Sequence, residues 1–143
     1  MKKKILPVVV LALILGCVGA LVAVNHVRTR PWLAYAQVQA AEITDAVLVT
    51  EYGESRRPLT DPEVEELAQA LRAMTPEHCE ANPEHAGTTP DRWLSFTVKG
   101  EKQVCSWCGG RQRMALRWWT EEDWLIRSDR LDALLSADGD ASA

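Results

Sequence analysis

The sequence contains none of the short motifs that mark common nucleotide-binding and hydrolytic sites. It has no glycine-rich phosphate loop, no Gly-x-Ser-x-Gly turn and no two histidines at the spacing of a zinc protease helix. Its three histidines are His26, His78 and His85, and the first lies next to a long apolar segment. Two carboxylates far apart in sequence can form a hydrolase site, but neighbours such as Glu65 and Glu66 fit a solvated surface better. We therefore expect a protein that is not an enzyme and needs no cofactor.

Most of the chain also has no excess of basic over acidic residues. The whole chain has 16 Lys and Arg, 20 Asp and Glu, and a net charge of −4. Residues 1–30 contain five of the basic residues and no acidic one, which leaves 11 basic and 20 acidic residues in 31–143, a net charge of −9. Because a basic surface supplies most of the affinity for nucleic acid, we expect no nucleic-acid partner.

Charge of either sign is absent from residues 5–24, which are almost entirely aliphatic. As a helix rising ~1.5 Å per residue, this stretch spans ~30 Å, the thickness of the hydrocarbon core of a bilayer. Lys2, Lys3 and Lys4 stand directly before it. We expect residues 5–24 to be an uncleaved single span whose partner is the lipid bilayer.

Two other readings of the N-terminus stay open. A cleaved signal peptide usually has a shorter apolar region, and the small-residue site formed by Ala34 and Ala36 lies beyond Arg28 and Arg30. Residues 14–17, which end at Cys17, resemble a bacterial lipobox, whose cysteine would be lipidated. The apolar residues continue past Cys17, whereas lipoproteins usually turn polar there.

The charges around the apolar stretch favour a cytoplasmic N-terminus only slightly, because basic residues lie on both sides of it. We take the N-terminus as cytoplasmic and the rest as extracytoplasmic, on a cell membrane. The chain then divides into an anchor at 1–30, a juxtamembrane stalk at 31–42, a domain at 43–135 and a disordered acidic tail at 136–143.

The patterning of residues 43–135 predicts an α+β domain. The β-branched and aromatic residues at 43–52 predict a strand, and residues 61–74 predict a helix with a proline and acidic residues in its first turn. Residues 93–128 predict a four-stranded antiparallel meander, and Ser128 caps a short C-terminal helix. We expect helix 61–74 to pack on the apolar face of the meander.

The register of the meander follows from its glycine turns. A turn at Gly100 and Glu101 would place Phe96 opposite Cys105, and a turn at Gly109 and Gly110 would place Cys105 opposite Met114. One inward face then holds Leu94, Phe96, Val98, Cys105, Trp107, Met114, Leu116 and Trp118. Trp124 and Ile126 join that face if the last turn has an odd length, such as three residues near 120–122.

The same parity turns a second set of side chains outward: Trp93, Ser95, Thr97, Ser106, Arg111, Arg113, Arg117 and Trp119. Tryptophan and arginine are the residues most often found as interface anchors. We therefore predict a binding surface at Trp93, Arg113, Arg117 and Trp119 for a protein or another component of the bacterial cell envelope. The alternative is that strand 43–52 or the C-terminal helix covers this face and makes the tryptophans a second small core.

The cysteines and histidines offer a different function, a small thiol or zinc protein. Cys105 and Cys108 form half of a zinc-ribbon knuckle, which Cys79 and either His78 or His85 would have to complete. A single such pair is weak evidence, so we predict no metal site. Cys79 could form a disulfide with Cys105 or Cys108, or all three could be free thiols.

Overall fold

The computed structural model describes residues 2–81, 90–108, 111–117 and 121–137 of the chain. Helix α1, Lys2–Arg28, contains the apolar stretch. By length and composition it is the one helix of the described residues that could cross a membrane, with a mean hydropathy of 2.9 and no part of that window buried. A signal sequence near an N-terminus has the same properties.

Residues 31–42, which we expected to be a stalk, contribute to the core of the domain. Helix α2 is the single turn Pro31–Ala34. Tyr35 and Val38 after it are buried in the core cluster. The ring of Trp32 meets that of Trp124 edge to face, with 5.3 Å between their centroids. The segment packs against the domain because its apolar side chains contact the core residues.

The domain is built on one antiparallel sheet of seven strands in the order β2-β1-β4-β5-β6-β7-β3. The strands are β1 Ile43–Thr50, β2 Ser55–Pro58, β3 Cys79–Ala81, β4 Trp93–Val98, β5 Glu101–Cys108, β6 Arg111–Arg117 and β7 Glu121–Ile126. The predicted meander is confirmed as β4 to β7. The short edge strands β2 and β3 occupy segments that we read as loops, because neither has an alternating apolar pattern.

The first turn of the meander lies one residue earlier than predicted. Lys99 and Gly100 form it, with φ angles of 52° and 78°, and two positive φ angles are what a type I′ hairpin turn requires. Phe96 therefore pairs with Gln103 rather than with Cys105. The pairing moves by two residues, so each side chain keeps its face. Leu94, Phe96 and Val98 are buried, as predicted.

The other two turns agree with the parity of the prediction. Cys105 pairs with Met114, as predicted, and the predicted turn residues Gly109 and Gly110 lie outside the described residues. Three residues, 118–120, separate β6 from β7, so the last connection has the predicted odd length but starts two residues earlier. Met114 pairs with Trp124, which puts Trp124 on the same face as Cys105.

Two helices cover the inner face of the sheet and confirm the α+β class. Helix α3, Asp61–Arg72, starts where predicted and ends two residues early, and helix α4 is Asp129–Ser136. Ser128 caps α4 by accepting a hydrogen bond from the backbone N–H of Leu131. Apolar residues of both helices share one core with the inner face, including Leu67, Leu71, Leu94, Phe96, Val98, Leu131, Leu134 and Leu135.

A charged cluster at the start of α3 ties the helix to edge strand β2. The Arg57 guanidinium donates two hydrogen bonds of 2.8 Å to the Glu63 carboxylate, which also accepts from the Thr60 backbone N–H at 2.8 Å. The Arg57 hydrogen bond is the main cause that lowers the pKa of Glu63 from 4.5 to about 2.

Replacing Glu63 with glutamine should lower the free energy of unfolding at pH 7 by about 1–2 kcal/mol, since the pair is partly exposed to solvent. A lowered folded-state pKa stabilises the protein above about pH 4.5, and this stabilisation is lost as the pH falls towards 2. Urea unfolding between pH 7 and pH 2 should therefore show a shallower pH dependence for Glu63→Gln. Parallel pH profiles for the two proteins would contradict this role of Glu63.

Candidate functional site

The strand register aligns outer-face positions in one row across the whole sheet. From edge to edge the row consists of Arg56, Val49, Trp93, Ser106, Arg113, Leu125 and Glu80. Trp93 and Arg113 are two strands apart in this row, about 10 Å at the usual strand spacing. The row brings Trp93 near Arg56, which the sequence analysis did not include in the surface.

A groove of about 510 Å³ lies on this outer face, over β2, β1, β4 and β5. The residues that line it are Asp45, Val47, Val49, Arg56, Pro58, Trp93, Ser95, Thr97 and Lys102. Its floor is apolar and its rim carries two cations and one carboxylate. A concave surface of this size with an apolar floor and a few polar groups is typical of a binding site.

Trp93 forms one wall of the groove and is half-buried. Its ring lies against Gly53, where a β-carbon would be 3.3 Å from the ring, and Gly53 has a φ of 103° that favours glycine. Val49, its cross-strand neighbour, is buried. The tryptophan therefore has a fixed place between the β1–β2 turn and the floor, with part of its ring exposed.

The two cations of the groove differ from three arginines elsewhere in the domain. Arg57, Arg72 and Arg130 each pair with a carboxylate at 2.6–3.2 Å. Arg56 and Lys102 are exposed, and neither has an ion pair with any described residue. The domain as a whole is acidic, so two cations that form no ion pair with a described residue make the lining of this groove locally basic.

A β-bulge in β1 shapes the floor of the groove. Thr44 pairs with Thr97 and Val47 pairs with Ser95, so Asp45 and Ala46 together lie opposite a single residue, and Asp45 has a φ of 52°. Beyond the bulge, Val47 and Val49 point outward. The unbroken apolar run at 46–49 is the sequence signal for these outward valines, because such a run indicates a strand with apolar residues on both faces.

The structure places part of the predicted binding surface. Trp93 lines the groove, and the backbone positions of Arg113 and Arg117 lie on β6. Trp119 lies outside the described residues. Strand β1 lies beside β4 in the same sheet, and α4 belongs to the core of the inner face, so neither covers Trp93 as the alternative required.

The candidate zinc ligands are not assembled in the described part of the chain. Cys79 is on β3 and Cys105 and Cys108 are on β5, three strands away, which is about 14 Å at the usual spacing. A disulfide needs α-carbons within about 7 Å, so Cys79 cannot pair with either, and Cys79 and Cys105 are free thiols. The Nδ1 atom of His78 lies 3.0 Å from the Thr75 hydroxyl, and His85 lies outside the described residues.

The environments of Cys79 and Cys105 disfavour thiol chemistry. Burial raises the pKa of Cys105 to about 12 and that of Cys79 to about 11. The thiolate is the reactive form, so both groups are almost fully protonated at neutral pH. Cys105 behaves as an apolar core residue on the inner face.

The groove on the outer face is therefore the candidate functional site, and its lining suits binding. The polar groups of its described lining residues are two cations, hydroxyls and the carboxylate of Asp45. Comparison of the chain with protein-family models, with characterised proteins and with solved structures finds no match that assigns it to a family.

Proposed function

We propose that this chain is a membrane-anchored, non-catalytic interaction module of the bacterial cell envelope. Helix α1 is its uncleaved anchor, with the N-terminus in the cytoplasm and the domain outside it. The length and hydropathy of α1 support the anchor. The partner is a protein that places an acidic, extended segment in the groove on the outer face.

Trp93 lines the groove together with two cations that form no ion pair with any described residue, and this combination supports the proposal. The ring of Trp93 is partly exposed and lies beside the apolar floor, with Arg56 and Lys102 on the rim. An aromatic anchor supplies contact area, and the cations select against basic and for acidic side chains. Asp45 on the same rim adds a constraint, because an acidic partner has to keep its carboxylates away from Asp45 and near Arg56 or Lys102.

Charge reversal at the rim should change which peptide binds. The probe is a labelled peptide of alternating glutamate and valine, compared with the same peptide carrying lysine instead of glutamate. We expect the full-length protein in detergent to prefer the glutamate peptide, and Lys102→Glu to weaken it by about tenfold or more, since like charges then face each other. Fluorescence anisotropy measures both affinities.

Arg127→Glu is the matched control, because Arg127 is exposed and lies outside the groove. It changes the net charge by the same amount and should leave both affinities unchanged. If Lys102→Glu and Arg127→Glu have the same effect, the peptides respond to net charge alone and the groove is not the site. The proposal also fails if neither wild-type affinity is measurable.

A further inference from the structure

A second cavity lies where the membrane helix meets the domain. It has a volume of about 550 Å³ and is formed by the C-terminal end of α1, by the residues around α2 and by the start of the β4–β5 hairpin. Its apolar lining includes Val24, Val27 and Tyr35, and its polar lining includes Arg28, Lys99 and Gln103. It is on the opposite side of the sheet from the groove, since Val98 and Gln103 belong to the inner face.

Gln103 is the unusual residue of this cavity. Its side chain is 1% exposed, yet neither its Nε2 nor its Oε1 has a hydrogen-bond partner among the described residues. A buried amide without partners destabilises the fold, and native proteins satisfy nearly all such groups with protein, water or ligand atoms. Both amide atoms are closed off by surrounding atoms, so binding requires the Gln103 side chain to turn toward the cavity that it lines, where a bound molecule supplies both the acceptor and the donor that it lacks.

The charges of the cavity favour an anion. Among the described residues that line it, Arg28 and Lys99 are the charged ones and none is a carboxylate. The Lys99 ammonium donates a hydrogen bond of 3.1 Å to the carbonyl of Ala34, which holds it over the segment that forms one wall. A phosphate group between the two cations would be held by charge-assisted hydrogen bonds.

The position of the cavity along α1 matches the headgroup layer of a bilayer. If the hydrocarbon core ends near Val24, the four residues to Arg28 add about 6 Å of helix, and a headgroup layer is about 5–7 Å thick. The apolar part of the cavity lies at Val24 and Val27, on the side of the acyl chains. The cations and Gln103 would then face headgroup atoms.

We propose that this cavity binds one anionic phospholipid with a hydroxyl-bearing headgroup, of the phosphatidylglycerol type. The phosphate lies between Arg28 and Lys99, the Gln103 amide exchanges hydrogen bonds with the glycerol of the headgroup, and the acyl chains follow α1. This site rests on the proposed membrane anchoring and is independent of the groove. It would fix the domain against the membrane surface instead of leaving it on a loose tether.

Two substitutions test the site without relying on a destabilised protein. Lys99→Asn removes the cation and keeps the turn, because Asn followed by Gly is a preferred type I′ pair. Gln103→Leu removes the unpaired amide, and it should raise the melting temperature of the lipid-free protein by about 4 °C or more. Lys102→Asn is the control, since it removes a cation from the next residue on the opposite face.

Native mass spectrometry of the full-length protein, transferred from mixed phosphatidylglycerol and phosphatidylcholine nanodiscs, measures retained lipid. We expect one phosphatidylglycerol per chain for wild type and Lys102→Asn, and about a tenfold weaker retention for Lys99→Asn and for Gln103→Leu. Equal retention of both lipids by wild type, or full retention by both variants, would overturn the proposal. Alkaline carbonate washing of membranes is scored separately, because release of the wild type would instead refute the anchor.

Discussion

Replacing Phe96 with alanine should lower the free energy of unfolding by about 3–5 kcal/mol. Phe96 is 1% exposed and is among the largest fully buried side chains of the inner face. The substitution would leave a cavity between the sheet and the helices α3 and α4, which cannot close without moving an element. Urea unfolding of the full-length protein in detergent, followed by tryptophan fluorescence, measures the change.

Thr97→Ala is the matched control for Phe96→Ala, because the next residue along β4 faces the groove. It should change the free energy of unfolding by no more than about 0.5 kcal/mol. Comparable losses for the two variants would show that the outer face is packed as tightly as the inner face, and the groove would then be part of a second core.

Placing two arginines at the middle of the apolar stretch should release the protein from the membrane. Arginine at the centre of a membrane helix is about 3–4 kcal/mol less favourable than isoleucine, so Ile14→Arg together with Leu15→Arg costs about 6–8 kcal/mol. Ile5→Arg is the control, since a charge at the end of the helix reaches the interface. Partition between membrane and soluble fractions measures the effect.

The mass of the wild-type chain extracted from membranes separates the anchor from its alternatives. We expect the complete sequence, with residues 1–30 present. A mature form that begins at a lipidated Cys17 would make the chain a lipoprotein, and a form that begins after residue 30 would make α1 a signal peptide. In either case the lipid site at the end of α1 could not exist as proposed.

The parts of the fold that the sequence predicted correctly are those with a strong local pattern. Helix α3 begins with an acidic, proline-containing turn. In β4 the alternation of apolar and polar residues assigned each side chain to the correct face, although the turn was predicted one residue too late. The pairing there was wrong because Lys99 adopts a left-handed conformation, which a lysine seldom does. Nothing in residues 55–58 or 79–81 alone indicates a strand. Both edge strands form because the neighbouring strand has backbone N–H and C=O groups available for hydrogen bonding.

The candidate site was predicted in part. The alternation of side chains along the strand was enough to predict that Trp93 faces outward, and the structure confirms that it lies on the outer face. Arg56 and Val49 were missed because they reach Trp93 through the pairing of β2 with β1 and of β1 with β4, which are long-range contacts. The unpaired amide of Gln103 could not be recognised either, since its lack of partners depends on how the end of α1 and the residues after it pack against the sheet.

We expect a protein partner to occupy the groove on the outer face of the membrane-anchored domain. The most direct measurement is photo-crosslinking in cells, with a photoreactive amino acid at Ser95 in the groove and, in a second variant, at the exposed Ala133 of α4. We predict one discrete adduct from position 95 whose crosslinked peptide is acidic, no such adduct from position 133, and loss of the first when Lys102→Glu is added. A crosslink of equal yield from both positions, or an adduct that persists in Lys102→Glu, would contradict the account.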